Sequence, residues 1–80
     1  MVRYNLGLAY EYRGDDDLAI LELEKVRERC PDFADVEYHL AALYHKMGEK
    51  ERAQQAAERA LEIEPSHEEA RALLDLLKKN

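Results

Sequence analysis

The sequence predicts an all-α fold, an array of five antiparallel helices that uses one helix hairpin twice. Residues recur at a fixed step of 34, and the apolar residues between the turns follow helical spacing. Prolines occur only at positions 31 and 65, one period apart, where each hairpin would end. A constant period of this kind is typical of stacked copies of one supersecondary unit, a solenoid. Nine residues of the first repeat recur unchanged one period later: Val2, Tyr4, Leu6, Tyr10, Gly14, Ala19, Glu24, Glu28 and Pro31.

The first hairpin is predicted from its apolar pattern and its turn residues. A helix is expected over about residues 2–13, and Gly14 ends it, since glycine readily adopts the left-handed backbone at a helix C-terminus. A second helix is expected over about residues 17–29, and Pro31 ends it. We expect the carboxylates of residues 15–17 to accept free backbone N–H groups and to favour the positive end of the helix dipole.

The second hairpin repeats this order, and one more helix follows it. Helices are predicted over about residues 35–46 and 50–63, with a turn at Gly48 and a stop at Pro65. Ser66 and Glu69 have the spacing of a capping box. This spacing predicts a fifth helix over about residues 67–79.

The fifth helix is predicted to close the array. The stripe that would face a further helix is charged, and the opposite stripe is apolar and is expected to pack on the preceding helix. The charged stripe consists of Arg71, Asp75 and Lys78, and the apolar stripe consists of Ala70, Leu74 and Leu77. Polar-faced terminal helices keep solenoids soluble. We therefore expect one domain over residues 1–80, with repeats at about 1–33 and 34–67 and a C-terminal capping helix at about 67–79.

The other end of the array is predicted to expose an apolar face. Val2, Leu6 and Ala9 have no preceding hairpin in this chain to cover them, unlike the residues one period later. Fewer than three full repeats is also below the usual minimum for stability. Two interpretations remain open at this point. Either the chain is the C-terminal part of a longer array, or this face pairs with a second copy of the chain.

Charge and composition argue against several classes of function. The formal net charge is −6 and the pI about 5.0, whereas nucleic acids and anionic membranes attract clustered lysine and arginine. No apolar run approaches the roughly 20 residues that span a bilayer, so we expect a cytoplasmic protein. We predict no enzymatic activity, cofactor or metal site, because the three histidines and the single Cys30 form no motif of catalytic or metal-ligand spacing.

The repeated residues resemble the tetratricopeptide repeat family. The first copy matches its pattern at Leu6-Gly7-x-x-Tyr10, Gly14, Ala19 and Pro31, and the second at Leu40-Ala41-x-x-Tyr44, Gly48, Ala53, Ala60 and Pro65. The resemblance covers nearly the whole chain. Arg3 and Glu37 depart from it, since the family usually has a large aromatic residue at their position. The resemblance implies stacked helix hairpins that serve as a protein–protein interaction scaffold.

The resemblance also implies a concave groove, lined by the first helices, that binds a peptide or partner segment. The carboxylate clamp of some members is absent, since Tyr4 and Leu8 stand where a lysine and an asparagine would be needed. We therefore expect an apolar or aromatic-bearing peptide, with basic flanks favoured by Glu11. The alternative function is a homo-dimer formed through Val2, Leu6 and Ala9. The predicted groove residues are Tyr4, Asn5, Leu8, Glu11, Tyr12, Tyr38, His39, Ala42, His45, Lys46 and Leu76.

Overall fold

The computed structural model describes residues 2–79 and folds them into five α-helices. The helices are α1 (Val2–Arg13), α2 (Asp16–Arg29), α3 (Ala34–Lys46), α4 (Lys50–Ile63) and α5 (Glu68–Lys78). Residues 2–79 contain no strand, so the predicted all-α fold of five helices is confirmed, with every helix end within one residue of its predicted place. Met1 and Asn80, the outermost positions of the predicted domain, lie outside the described residues.

The two hairpins turn in the same way. Gly14 and Gly48 have φ angles of 86° and 80°, in the left-handed region that glycine adopts without steric cost. The residue after each glycine donates its N–H to the tyrosine carbonyl five positions earlier, at 2.9 Å in both turns. These bonds satisfy carbonyls that the helix end would leave unpaired. The repeated glycine therefore sets the same sharp reversal between α1 and α2 as between α3 and α4.

Helix α3 lies at the centre of the array. It packs on α4, its partner in the second hairpin, on α2 of the first hairpin and on α5. Helix α1 packs on α2, and it contributes only Gly7 to the buried residues. The core joins side chains from α2 to α5, namely Ala19, Leu23, Val26, Val36, Leu40, Ala41, Leu43, Tyr44, Ala53, Ala56, Ala57, Leu74 and Leu77.

A buried ion pair joins the two hairpins. Glu37 of α3 is only 1% exposed, and its carboxylate accepts two hydrogen bonds of 3.0 Å from Arg27 of α2. Arg59 Nε of α4 lies 3.5 Å from the same carboxylate. A buried charge is costly unless it is paired and hydrogen-bonded, and both conditions are met here. Most members of the family have a large aromatic residue at this position. Here Glu37 takes its place and forms ion pairs with α2 and α4.

A second polar contact crosses between the hairpins next to this pair. The hydroxyl of Tyr44 in α3 donates a hydrogen bond of 2.6 Å to Glu24 Oε2 of α2. The guanidinium of Arg52 in α4 lies 5.5 Å from the centre of the same ring. Burial, followed by the hydrogen bond to Glu24, raises the pKa of Tyr44 to about 12. Tyr44 therefore belongs to the core, with 4% of its surface exposed.

The expected capping of two helices is wrong in detail. Ser66 is not the N-cap of α5, because His67 holds that position and its Nδ1 accepts a hydrogen bond of 3.1 Å from the Ala70 N–H. Asp15 is the N-cap of α2, but its side chain accepts no capping hydrogen bond. Asp16 and Asp17 lie in the first turn of α2, where their charges favour the helix dipole.

The two ends of the array differ as predicted. On α5 the apolar stripe is buried against the array, and the charged stripe of Arg71, Asp75 and Lys78 is exposed. On α1 the apolar residues face outward, with Val2 86% and Leu6 39% exposed. None of the helices in residues 2–79 has the length and apolar character needed to cross a membrane.

Candidate functional site

Five aromatic and imidazole rings form a continuous row across α1, the start of α3 and the start of α5. We call this set the ring row. The centre of the Tyr4 ring lies 4.8 Å from that of Phe33 and 6.2 Å from that of His39. Tyr38 continues the row, with ring centres 5.2 Å from His39 and 5.4 Å from His67. Ring contacts at these separations and tilts are favourable and hold the row in a defined arrangement.

The ring row contains the same contact twice. Phe33 and His67 are one period apart, as are Tyr4 and Tyr38. Phe33 immediately precedes α3 and packs on Tyr4 with an interplanar angle of 39°, and His67 immediately precedes α5 and packs on Tyr38 at 35°. The tyrosine of α1 is therefore covered by the ring that precedes α3, and the tyrosine of α3 is covered by the ring that precedes α5.

Carboxylates alternate with the rings. Glu11 Oε1 lies 3.0 Å from His39 Nδ1, but the two are not aligned as a hydrogen bond, so His39 Nδ1 has no hydrogen-bond partner among the described residues. Asp35 Oδ1 lies 2.8 Å from His67 Nε2. Because His67 Nδ1 already accepts a hydrogen bond from the Ala70 N–H, the ring proton is on Nε2. Nε2 therefore donates a hydrogen bond to Asp35.

The charges of these carboxylates act on the two tyrosine hydroxyls. The pKa of Tyr4 is raised by burial first, and then by the negative charges of Asp35 and Glu11. The pKa of Tyr38 is raised by burial, and then by the charges of Glu69 and Glu11. Asp35 and Glu69 are one period apart, so the tyrosine of α1 feels a carboxylate of α3, and the tyrosine of α3 feels the corresponding carboxylate of α5. Three carboxylates, Glu11, Asp35 and Glu69, therefore act on the two tyrosine hydroxyls of the ring row.

Four of the predicted groove residues meet in this row. Tyr4, Glu11, Tyr38 and His39 are linked by the ring contacts and the close Glu11–His39 approach, and all four are partly exposed. A partly exposed ring keeps area available for a ligand while its packed edge fixes its orientation. These residues form the best-defined part of the predicted site.

The other predicted groove residues lie around the row. On α1, Asn5 is exposed, Leu8 is partly buried and Tyr12 is 95% exposed, and on α3 Ala42 is partly buried. Each of these side chains lies on a first helix, as the repeat pattern predicts.

The C-terminal ends of α3 and α5 hold the remaining three. Lys46 Nζ lies 3.3 Å from Asp16 Oδ1 at the start of α2. His45 and Leu76 line a separate open cavity of about 340 Å³ with Gly48 and Leu77. The predicted site thus divides into the ring row and this apolar cavity at the other end of α3.

Sequence reasoning missed two members of the ring row, Phe33 and His67. Both fall in the short connections before first helices, outside the helical stripe used to select groove residues. The period carries a signal that finds them, because both positions hold a flat ring one period apart. Residues 2–79 contain no group of three or more histidine, cysteine or acidic residues arranged to hold a metal ion.

Comparison with known proteins identifies the repeat. Two family models, each described as tetratricopeptide repeat, match residues 1–32 and residues 34–67. The chain belongs to the tetratricopeptide repeat family. Together the two matches cover both hairpins, which agrees with the repeated turns, the repeated ring contact and the period of 34 residues.

Solved structures show the same arrangement of tetratricopeptide helices. Two crystal structures of MamA superimpose on 96% of the chain with TM-scores of 0.93 and 0.91, at 28% sequence identity in both cases. The chain spans 45% and 42% of the length of those two MamA chains. A search of curated protein sequences found no significant match. Family and fold together indicate a protein-interaction repeat module, a class that is typically without enzymatic activity.

Proposed function

We propose that this tetratricopeptide module binds a peptide or an extended partner segment along the ring row. The observation that carries the proposal is the pair of half-buried tyrosines, Tyr4 and Tyr38, each held by a neighbouring ring and each with part of its surface exposed. Tyrosine combines apolar area with a polar tip and loses little side-chain entropy on binding, which is why it is enriched at binding hot spots. Because the rings are already packed, a ligand would not have to order them.

The chemistry of the row favours an apolar or aromatic-bearing segment. The rings offer flat apolar surfaces, and Leu8 and Ala42 on the adjoining helix faces are partly exposed. A C-terminal carboxylate is disfavoured, since Glu11, Asp35 and Glu69 surround the tyrosines and would repel it. The partner is therefore a protein or peptide, and we propose neither nucleic acid nor membrane as a ligand.

A second candidate function, homo-oligomerisation, is favoured by the apolar face of α1. Val2 and Leu6 are exposed there, and so is Ala9, whereas the residues one period later are fully buried. Pairing of this face with a second copy would bury it in the way that α2 and α4 bury α3.

Two further expectations from the sequence remain predictions. These are the cytoplasmic location and the division into repeats at about 1–33 and 34–67 with a capping helix at about 67–79.

Selection from a library of random 12-residue peptides tests the groove. Peptides are selected on the wild-type chain, and their affinities are measured by fluorescence anisotropy for the wild type and for the Tyr4→Ala/Tyr38→Ala variant. We expect the double substitution to weaken binding by at least about tenfold, since each tyrosine behaves as a hot spot. Unchanged affinity of every selected peptide would place the binding surface elsewhere and reject the groove.

Sedimentation equilibrium tests the alternative on the same proteins. Leu6→Glu places a charge on the α1 face and leaves the ring row unchanged. If the wild type is a dimer that Leu6→Glu converts to a monomer, the face is an interface. If the wild type is a monomer at all concentrations, the homo-dimer is rejected. Peptide binding by Leu6→Glu should equal that of the wild type when the groove is the binding site.

A further inference from the structure

The ring row consists of two equivalent subsites, one for each repeat. The first contains Tyr4, its covering ring Phe33 and Asp35, whose carboxylate also lies 2.8 Å from Nε2 of His67 in the second subsite. The second contains the residues one period later, Tyr38, His67 and Glu69. In both, the negative charge of the carboxylate raises the pKa of the tyrosine hydroxyl, and a second ring packs on the tyrosine. Glu11 acts on both tyrosines, and its Oε1 lies 3.0 Å from Nδ1 of His39, the ring that contacts both of them.

Within the part of the chain that the structure describes, no lysine or arginine pairs with the carboxylates of the two subsites. Among residues 2–79, Glu11 and Asp35 pair only with the imidazoles of His39 and His67, and Glu69 forms no ion pair. Nearby cations are engaged elsewhere, with Arg3 on Glu22 and Lys46 on Asp16. The side chain of Asp35 is 54% exposed, so its charge is open to a ligand.

We propose, on the basis of the peptide-binding function above, that the apolar or aromatic-bearing segment also carries two basic side chains, one for each tyrosine–carboxylate subsite. A guanidinium can stack on a tyrosine face and at the same time donate hydrogen bonds to a carboxylate, so arginine fits better than lysine. The net charge of −6 adds long-range attraction for such a segment.

The spacing of the subsites sets the spacing of the basic residues. His39 bridges the two tyrosines, with its ring centre 6.2 Å from that of Tyr4 and 5.2 Å from that of Tyr38, so the tyrosine ring centres are within about 12 Å of each other. An extended peptide advances about 3.3 Å per residue. Basic residues at i, i+2 or i, i+3 of an extended peptide, roughly 7 to 10 Å apart, fit within this limit.

The test uses the peptides selected above for the proposed function. We expect arginine pairs at i, i+2 or i, i+3 to be enriched among peptides whose binding depends on Tyr4 and Tyr38. Each arginine of the tightest peptide is then replaced by citrulline, which has nearly the same shape and no charge. We expect each replacement to weaken binding about five- to tenfold.

Paired variants of the chain separate a local effect from net charge. Asp35→Asn/Glu69→Gln removes one carboxylate charge from each subsite, and Asn keeps an oxygen acceptor for His67. Glu51→Gln/Glu58→Gln removes the same charge from exposed positions of α4. We expect the first variant to lose affinity for the arginine peptide about tenfold and to lose none for the citrulline form. The α4 variant should retain nearly the wild-type affinity.

The outcomes distinguish this inference from the groove itself. Groove-dependent peptides without paired basic residues, or with equal affinity in arginine and citrulline forms, would overturn the inference and leave the groove standing. Equal losses in the two charge variants would overturn it too, because net charge alone would then explain the preference. If no selected peptide depends on Tyr4 and Tyr38, both proposals fail.

Discussion

Gly7 and Leu23 meet so closely that a Cβ atom on Gly7 would lie 2.9 Å from both Cγ and Cδ2 of Leu23. Leu23 is fully buried, so its side chain has no open space into which to move. The residues one period later are Ala41 and Ala57, both fully buried. The two repeats thus fill the contact between their helices differently, with glycine and leucine in the first and two alanines in the second.

A double-mutant cycle at Gly7 and Leu23 should show strong coupling. Gly7→Ala should lower the free energy of unfolding by about 1 kcal/mol, because overpacking outweighs the gain of about 1 kcal/mol in helix propensity. Leu23→Ala should lower it by about 2–5 kcal/mol through the cavity it leaves. The double variant copies the alanine pair and should cost at least about 1 kcal/mol less than the sum of both. Urea unfolding followed by circular dichroism measures the stability of all four proteins. Additive losses would show that Gly7 and Leu23 are not energetically coupled.

The capping of α5 predicts a contrast between adjacent residues. His67→Ala should lower the free energy of unfolding by about 1–2 kcal/mol, because it removes the acceptor of the Ala70 N–H and the hydrogen bond to Asp35. Ser66→Ala is the matched control, and its effect should stay within about 0.5 kcal/mol, since Ser66 is exposed and is not the cap. Thermal unfolding compares the two. A larger loss for Ser66→Ala would restore the capping box expected from the sequence.

Tyr44 predicts a loss of stability at alkaline pH. Its pKa in the fold, about 12, lies above the ordinary value of 10.0 because burial and the hydrogen bond to Glu24 favour the neutral phenol. Its stabilising effect is therefore fully present below pH 10 and is lost as the pH rises towards 12. The wild type should lose about 2–3 kcal/mol more than Tyr44→Phe across this interval. Urea unfolding at a series of pH values measures the difference, and parallel curves for the two proteins would refute the prediction.

Arg3, one period before Glu37, provides a matched control for the buried ion pair of Glu37. Glu37→Gln should lower the free energy of unfolding by about 2–3 kcal/mol, since it leaves Arg27 and Arg59 beside a neutral buried group. Arg3 occupies the same position of the first repeat, where it forms an exposed ion pair with Glu22. Arg3→Gln should therefore cost less than about 1 kcal/mol. Chemical denaturation of both variants checks the ranking, and equal costs would mean that burial of Glu37 adds nothing.

The candidate site was predictable where it follows the helical stripe. Tyr4, Glu11, Tyr38 and His39 were selected because first-helix positions one period apart face the same way. Phe33 and His67 were missed because they lie in connections, whose side-chain directions depend on how one hairpin docks on the next. The charges on the tyrosine hydroxyls also required the fold, since Asp35 is 31 residues from Tyr4 in the chain.

The sequence by itself determined the helices, their ends, the turns and the repeat. These features depend on residues near one another in the chain: a glycine that accepts a positive φ, a proline that stops a helix, and apolar residues at helical spacing. The tertiary structure alone decided that Glu37 is buried between two arginines and that His67, rather than Ser66, caps α5. The burial of Glu37 depends on contacts between three helices, and the capping histidine also bonds Asp35 of α3, 32 residues away in the chain. Local pattern does not determine such contacts, because they arise only when the hairpins stack.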